Sequence, residues 1–339
     1  MNPLKSFFKA HWIEVTVALI AIAALHLPLR EDTFRGDHLD SHKAADYGQF
    51  LSGYAATIIL IISVAALVIQ LRNQIATNRR TSFESRFFEL LGYHRDNVDE
   101  IGIGSDKKGR RVFVSLIREF REALVLVDEA CAEVAPDYPR PLRLDLAYMA
   151  LYYGVGPNST RVLKDCVTKH PEALVGNVIK RMEDKQSDYR NYTKKASDSR
   201  RGEEERGSWP NDASHLTRLS YCPFDGHQSR LGHYYRHLYQ LIKYLDEYAP
   251  VGTAQDYADI VRAQLTNHEQ ALLCLNSLAT IGEAWIRLGY LTDYSLIKNI
   301  PASFFDKTTE LNLQSEFPQI RFEFMHDKDS KLEPNRSPA

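Results

Sequence analysis

The residue types best suited to chemistry lie in one stretch, Gly226–Tyr248, with the sequence GHQSRLGHYYRHLYQLIKYLDEY. At about 100° per residue, its pattern predicts one helix with two different faces. One face groups, within roughly 80°, side chains that make directional hydrogen bonds or move protons: Arg230, His233, His237, Gln240 and Tyr244. The candidate catalytic residues are Arg230, His233, Arg236 and His237. Histidine can act as a general acid or base, and arginine can stabilise a developing phosphate charge.

A structural interpretation of the same helix stays open. Its other face is an ordinary apolar core face, formed by Leu231, Tyr234, Leu238, Leu241, Ile242 and Leu245. Two histidines and two arginines on one helix are also typical of a polar seam buried between neighbouring helices, since structural networks use the same residue types. The pattern therefore predicts either a functional site or a structural seam.

A second run, Tyr257–Leu278, adds further polar candidates. Thr266 followed three residues later by Glu269 is a capping box, which predicts that one helix ends near Leu265 and another begins at once. We expect Asn276, which lies among leucines, to bond to the backbone or to the histidine-bearing helix. The predicted functional polar face comprises Gln240, Tyr244, Arg262, Gln264 and Asn276.

The composition limits the class of protein. The chain has 339 residues, of which 44% are hydrophobic and 25% charged, with a net charge of −2. This suffices for one large or two small domains, and the near-neutral balance gives no global argument for nucleic acid. We find no DNA-binding motif. Sparse Gly and Pro, with little strand-like alternation, favour a mostly α-helical fold.

Neither a metal nor a cofactor is predicted. The four cysteines form no Cys-x-x-Cys pair and no zinc spacing with histidine. The glycine-rich Gly102–Gly109 lacks the Gly-Lys-Ser/Thr ending of a phosphate loop, so we expect a plain loop there. The segment Asp37–His42, DHLDSH, carries possible ligands with nothing to fix their geometry, and we interpret it as a solvated loop.

The N-terminal region predicts a transmembrane hairpin. Phe50–Ile69 is free of charged residues and matches the ~20 residues that cross a bilayer. A first span covers about residues 8–27, with a cleaved signal peptide as the alternative. Basic residues precede the first span and come after the second: Lys5, Lys9, Arg72, Arg79 and Arg80. The positive-inside rule then places both termini in the cytoplasm, in a multi-pass protein of the bacterial inner membrane.

The predicted fold class is mostly α, with this hairpin followed by an all-helical cytoplasmic domain. The hairpin occupies residues 1–71, a connecting helix 72–100, and the helical domain 101–301. A charged insertion at about 185–212 is expected to be exposed and mobile. The C-terminal extension, 302–339, is expected to be partly disordered.

Individual helices are predicted from periodicity and from helix-breaking residues. The strongest prediction is an amphipathic helix over Arg110–Ala130, followed by one at Leu142–Tyr153 that Gly154 ends. A helix beginning at Pro171 is expected to reach about Met182. Closing helices are predicted at Trp285–Leu291 and Tyr294–Ile300.

Three segments resemble the phage abortive infection proteins of the AbiC type: LGHYYRHLYQLIKYLDE (Leu231–Glu247), IVRAQLTNHEQALLCLNSL (Ile260–Leu278) and YSLIKNIP (Tyr294–Pro301). FESRFFELLGYHRDNV, Phe83–Val98, is similar to that family's opening helix. The resemblance spans about Phe83–Pro301. It implies a bacterial anti-phage role and supplies no catalytic mechanism.

Three functions are compatible with these patterns. The first is a membrane-anchored, toxin-like effector or sensor of abortive infection, acting on the lipid bilayer as a homo-oligomer and triggered by a phage protein or RNA. The second is a HEPN-like helical RNase that uses the Arg/His face of helix 228–248, with Arg230 and His237 as a loose motif. The third is a non-toxic module that binds a phage protein. Whether the protein is an enzyme stays open, with the non-enzymatic interpretation preferred.

Overall fold

The computed structural model describes residues 41–104, 107–199 and 221–325, and this part of the chain is mostly helical. The predicted all-α class is confirmed at that level. By its internal contacts the chain divides into two units, Met1–Ser82 and Phe83–Ala339.

The first unit contains the beginning of one long helical run, which continues into the second unit. Helix α1 (Ser41–Phe50) leads through a π-helical turn, Leu51–Ala55, into α2, Ala56–Glu100. Among the described residues, Gly48–Glu100 is the one helix whose length and apolar composition suit a membrane span. The apolar part of this helix is not buried inside the protein. The predicted first span, about residues 8–27, lies outside the described residues, as does most of Asp37–His42. The hairpin therefore stays a prediction.

The second unit begins within α2 and is built from helices around α3. Its elements are β1 (Gly102–Ile103), β2 (Lys107–Lys108), α3 (Arg111–Val134), α4 (Arg140–Tyr153), α5 (Ser159–Cys166), α6 (Glu172–Ser199), α7 (Gln228–Tyr248), α8 (Ala254–Gln264), α9 (Asn267–Leu278), a 3-10 turn (Thr280–Gly282), α10 (Ala284–Arg287), α11 (Tyr290–Asp293) and α12 (Leu313–Glu316). Strands β1 and β2 form a two-residue antiparallel pair.

Helix α3 lies at the centre because its apolar stripe is wide enough to contact α4, α6 and α9. The residues of the predicted stripe are all buried: Phe113, Leu116, Ile117, Phe120, Leu124 and Val127. Full burial of one such side chain stabilises the fold by about 1.5–3 kcal/mol. The structure confirms the predicted helices at Arg110–Ala130 and Leu142–Tyr153 to within a few residues.

Three local predictions are corrected. Helix α6 continues past Met182 to Ser199, because Lys185–Ser199 contains no Gly or Pro and the buried Gln186 amide bonds to the carbonyls of Val155 and Pro223. The expected insertion is thus helical up to Ser199, and its remainder, 200–212, lies outside the described residues.

The Gly102–Gly109 loop and the closing helices are the other two corrections. The loop contains the β1–β2 pair, since the Gly109 N–H donates to the Ile101 carbonyl and closes a tight hairpin. The first predicted closing helix is split into α10 and α11 by Gly289, whose φ is 74°. The second predicted closing helix, Tyr294–Ile300, is replaced by turns, because Ser295 has a φ of 48°. The end of the predicted C-terminal extension, beyond residue 325, lies outside the described residues.

Two glycines let the chain entering α7 lie directly against the end of α4. Gly154 and Gly226 have φ values of 74° and 87°, and their backbones touch. A Cβ on Gly226 would overlap the Tyr153 carbonyl oxygen. On either side of this contact, the Val155 N–H donates to the Phe224 carbonyl and the His227 N–H donates to the Tyr152 carbonyl. This contact fixes where α7 begins.

Gly226→Ala is expected to lower the free energy of unfolding by about 2 kcal/mol or more, because the new methyl group has no space and φ is positive. Gly176→Ala is the matched control, since a Cβ there meets nothing within 4 Å. It is expected to raise stability by up to about 1 kcal/mol, because Gly176 lies inside α6. Urea unfolding of the full chain in detergent measures both changes; equal effects would contradict the packing described.

Candidate functional site

The start of α7 is held by a buried carboxylate on α3. Glu119 has no exposed surface. One oxygen accepts from the Phe224 N–H at 2.6 Å; the other accepts from the Tyr221 hydroxyl at 2.6 Å and contacts His227 Nε2 at 3.0 Å. A carboxylate removed from water needs such partners, because an unpaired buried charge is strongly unfavourable. Glu119 therefore joins three points of the segment before α7 to the centre of the domain.

Arg230 belongs to this network, and its guanidinium is partly buried. Its guanidinium donates to the carbonyls of Gly102 and Gly226, at 2.8 and 3.3 Å, and to His227 Nδ1 at 3.3 Å. Because Nδ1 accepts a hydrogen bond, the proton of a neutral His227 lies on Nε2 and points at Glu119. The guanidinium of Arg230, a predicted catalytic residue, therefore donates its hydrogen bonds to acceptors within the protein.

The other catalytic candidates lie on the outer surface of α7. His233 and Arg236 are exposed and His237 is half-buried. The two imidazole rings meet edge to face, with centroids 4.5 Å apart and an interplanar angle of 75°. Burial, then the neighbouring His233 and Arg236, lower the pKa of His237 below its ordinary value. This pair can donate, accept or ligate, and its functional role stays a prediction.

Aromatic packing attaches α2 to α7 and α8. Phe83 stacks on Tyr244 at 5.5 Å and 7°, and Tyr257 meets Phe83 and Phe87 edge to face at 4.9 and 5.1 Å. The Tyr257 hydroxyl donates to the Glu84 carboxylate at 2.7 Å. Offset and edge-to-face pairs add about 0.5–1.5 kcal/mol each beyond area burial. We call Phe83, Phe87, Tyr244 and Tyr257 the aromatic end of the α2–α7 seam.

The same seam contains a set of unpaired polar groups further along α2. His94 is only 2% exposed and Asn97 only 7%. Among the described residues, neither ring nitrogen of His94 nor Asn97 Nδ2 has a hydrogen-bond partner, whereas the Tyr234 hydroxyl lies close to the Glu269 carboxylate. The His94 and Tyr234 rings lie 5.1 Å apart. Each buried group left without a partner costs about 1–3 kcal/mol. We call His94, Asn97 and Tyr234 the polar end of the seam.

Electrostatics keep the His94 imidazole neutral. Burial, then the nearby charges of His237 and Arg110, lower the pKa of His94 from 6.5 to about 4. Burial and the Glu269 carboxylate raise the pKa of Tyr234. Arg110 also donates to the Gln264 carbonyl at 2.9 Å, so it lies close to the junction of α8 and α9.

The capping box predicted between α8 and α9 is confirmed. Helix α8 ends at Gln264 and α9 begins at Asn267; Thr266 Oγ1 accepts from the Glu269 N–H, and the Glu269 carboxylate accepts from the Thr266 N–H. Burial raises the pKa of Glu269, and the hydrogen bonds from Thr266 oppose that shift.

The remaining predicted residues lie in separate surroundings. Gln240 is exposed and Gln264 is half-buried. Arg262 pairs with Asp259 and lines an open cleft of about 720 Å³. Asn276 is buried in the core beside Tyr148. The structure therefore brings His233 and His237 together, and places Tyr244 in the seam, but does not gather the nine predicted residues into one site.

Sequence reasoning missed two buried carboxylates that organise the domain. Glu119 falls on the apolar stripe of α3, between Leu116 and Ala123, and this position on a core face is the available signal. Asp145 in α4 accepts hydrogen bonds from His170 at 2.7 Å and from the Thr280 N–H at 2.5 Å. Burial opposes ionisation of Asp145, but bonds from His170, Lys169 and Thr280 lower its pKa to about 2.

The described residues offer no set of ligands for a metal ion. In the described ranges, no group of three or more His, Cys, Asp or Glu side chains is placed to hold a metal ion. The four cysteines are free thiols, and Cys131 and Cys274 are buried.

Residues 226–305 match the family model described as "Putative phage abortive infection protein". The match confirms the resemblance seen in the sequence over α7, α8 and α9, and it supports a role in defence against phage. Its range contains the Tyr234, Tyr244 and Tyr257 side of the seam; the likeness of Phe83–Val98 to the family's opening helix stays an expectation. No curated protein and no solved structure matches the chain.

The low pKa of His94 predicts a specific pH dependence. The folded-state pKa of about 4 lies below the unfolded value of 6.5. His94 therefore destabilises the fold progressively as pH falls from about 6.5 to 4. Between pH 7 and pH 5 we expect wild type to lose about 2 kcal/mol more unfolding free energy than His94→Leu does. Urea titrations of the full chain at the two pH values measure this difference, and parallel losses in both proteins would contradict a buried neutral imidazole.

Removal of the Glu119 carboxylate is expected to be costly. Glu119→Ala leaves the Tyr221 hydroxyl, the Phe224 N–H and His227 without their acceptor, so unfolding free energy should fall by about 3 kcal/mol or more. Glu129→Ala on the same helix is the control: the Glu129 side chain is 50% exposed and pairs with Arg181, and its loss should cost at most about 1 kcal/mol. If Glu119→Ala lowered the unfolding free energy no more than the Glu129→Ala control, at most about 1 kcal/mol, the Glu119 network would contribute little to stability.

Proposed function

We propose that the protein is a membrane-anchored effector of phage defence, in which Phe50–Ile69 spans the bacterial inner membrane and the helical domain lies in the cytoplasm. The match of residues 226–305 supports the defence role. The composition of the Gly48–Glu100 helix supports the anchor. The basic residues Arg72, Arg79 and Arg80, which come directly after the span, favour a cytoplasmic location for the helical domain.

The observation that carries this proposal is that one helix contributes to both parts. Helix α2 contains the apolar residues up to Ile69 and also the residues that pack on the family-matched helices. Phe83 contacts Tyr244 of α7 and Tyr257 of α8. A change in how α7 and α8 pack therefore acts directly on α2.

Growth arrest or membrane leakage would result when an infection cue changes this packing. Subunits must assemble to enclose a pore, because neither one span nor the predicted two-helix hairpin can surround a channel by itself. A homo-oligomer is accordingly part of the proposal. The span Phe50–Ile69 contains no charged residue, which favours a non-selective leak or bilayer disturbance over a selective ion channel.

The alternative RNase receives less support from the geometry. Arg230 makes three internal hydrogen bonds, so its guanidinium is not positioned for a substrate phosphate. Residues seven apart on a helix are separated by ~10.5 Å along the axis, which leaves His237 distant from Arg230. The enzymatic interpretation would have to use the surface pair of His233 and His237 without Arg230.

The test of the anchor is a charge placed in the middle of the span. Ile61→Arg is expected to remove the protein from the membrane fraction and abolish phage protection, because a central arginine costs about 3 kcal/mol on insertion. Ile61→Leu is the matched control and should behave as wild type. Membrane fractionation and plating efficiency are measured at equal expression. Full protection by Ile61→Arg would contradict the proposal.

A further inference from the structure

We propose that the α2–α7 seam is a joint that opens at its polar end and stays packed at its aromatic end. In the closed arrangement, the one seen here, His94 and Asn97 are buried, and the His94 ring nitrogens and Asn97 Nδ2 have no hydrogen-bond partner in the described part of the chain. In the open arrangement, α2 moves away from α7 locally and water reaches both side chains. This deepens the proposed function and rests on it, because it names the movement that would pass from the family-matched helices to α2.

The contrast between the two ends is the first argument. At the aromatic end, three ring pairs between α2 and the helices α7 and α8 have centroids within 5.5 Å, and the Tyr257 hydroxyl has a carboxylate partner. At the polar end, the described residues offer no hydrogen bond to three buried polar atoms of two side chains, both ring nitrogens of His94 and Asn97 Nδ2. Buried polar groups in native proteins are nearly always paired, so a concentration of exceptions marks a place where the closed state is weakly held.

The second argument is the charge around His94. The groups that act on it are His237 from α7 and Arg110 from the turn before α3. Both are basic, so they oppose a proton on His94 while the seam is closed. From the α9 side, Glu269 is engaged by Thr266 and lies near Tyr234. Opening removes the desolvation penalty on the imidazole and lets it gain hydrogen bonds to water, which favours the open state.

The expected displacement is small. Val98, one residue beyond Asn97, is 3% exposed and belongs to the core. Gly102, just after the end of α2, accepts a hydrogen bond from Arg230 of α7. The end of α2 therefore stays attached to the domain while the turn at His94 and Asn97 shifts. Packed cores and interfaces convert small shifts of this kind into discrete alternatives.

The test replaces the unpaired groups with apolar ones of similar size. In the full chain in detergent, the double variant His94→Leu/Asn97→Leu is expected to raise Tm by at least about 2 °C, since orphaned groups are removed without a new cavity. Amide exchange across Gln228–Leu245 should slow by at least about tenfold, because opening becomes rarer. In infected cells the same variant should lose phage protection while staying in the membrane fraction at wild-type level.

Asp96→Leu is the matched control, an apolar change at the exposed neighbour of Asn97, and should leave exchange and protection as in wild type. A lower Tm and faster exchange for the double variant, and also for His94→Phe alone, would show a structural hydrated site and overturn the joint. Full protection by a stabilised, slowly exchanging double variant would also overturn it.

The proposed membrane anchor and the proposed opening of the seam can be tested separately. If wild-type protein is absent from the membrane fraction, the proposed function fails. The Tm and exchange measurements then still decide whether the polar end opens, since they require no membrane effect.

Discussion

Four aromatic side chains, Phe83, Phe87, Tyr244 and Tyr257, hold residues 83–87 of α2 against α7 and α8 through ring contacts of 4.9–5.5 Å. Everything proposed for the protein depends on this contact, because it is where the helix that contains the candidate span meets the segment that matches a phage abortive infection family. The packing is apolar and specific in geometry, so it can transmit a displacement. The unpaired polar groups further along α2 are the basis of our proposal that the seam opens.

The rest of the domain positions α7 for that contact. Glu119, fully buried on the central helix α3, binds the segment that enters α7, and the touching backbones at Gly154 and Gly226 set its start. These constraints leave the N-terminal end of α7 fixed while its outer face, with His233 and His237, meets solvent. If the seam opens as we propose, a domain held at its centre in this way can respond to a signal by a local change, without unfolding.

Local signals were enough to predict much of the fold. The stripe of α3, the end of α4 at Gly154 and the capping box at Thr266 are all determined by neighbouring residues. The seam could not be derived this way: His94 and Tyr234 are distant in sequence, and each alone fits an ordinary core position. The hydrogen bonds of Arg230 could not be predicted for the same reason, because its acceptors at Gly102 and His227 come together only in the fold.

The central claim is that this protein acts on the membrane during infection. The most direct measurement is the membrane potential of infected cells that express the full chain, monitored with a voltage-sensitive dye from adsorption to the time of lysis, beside cells with an empty vector. We predict an early depolarisation in the protected culture that precedes lysis of the unprotected one. Protection with an undisturbed membrane potential would contradict the account and direct attention to RNA or another cytoplasmic target.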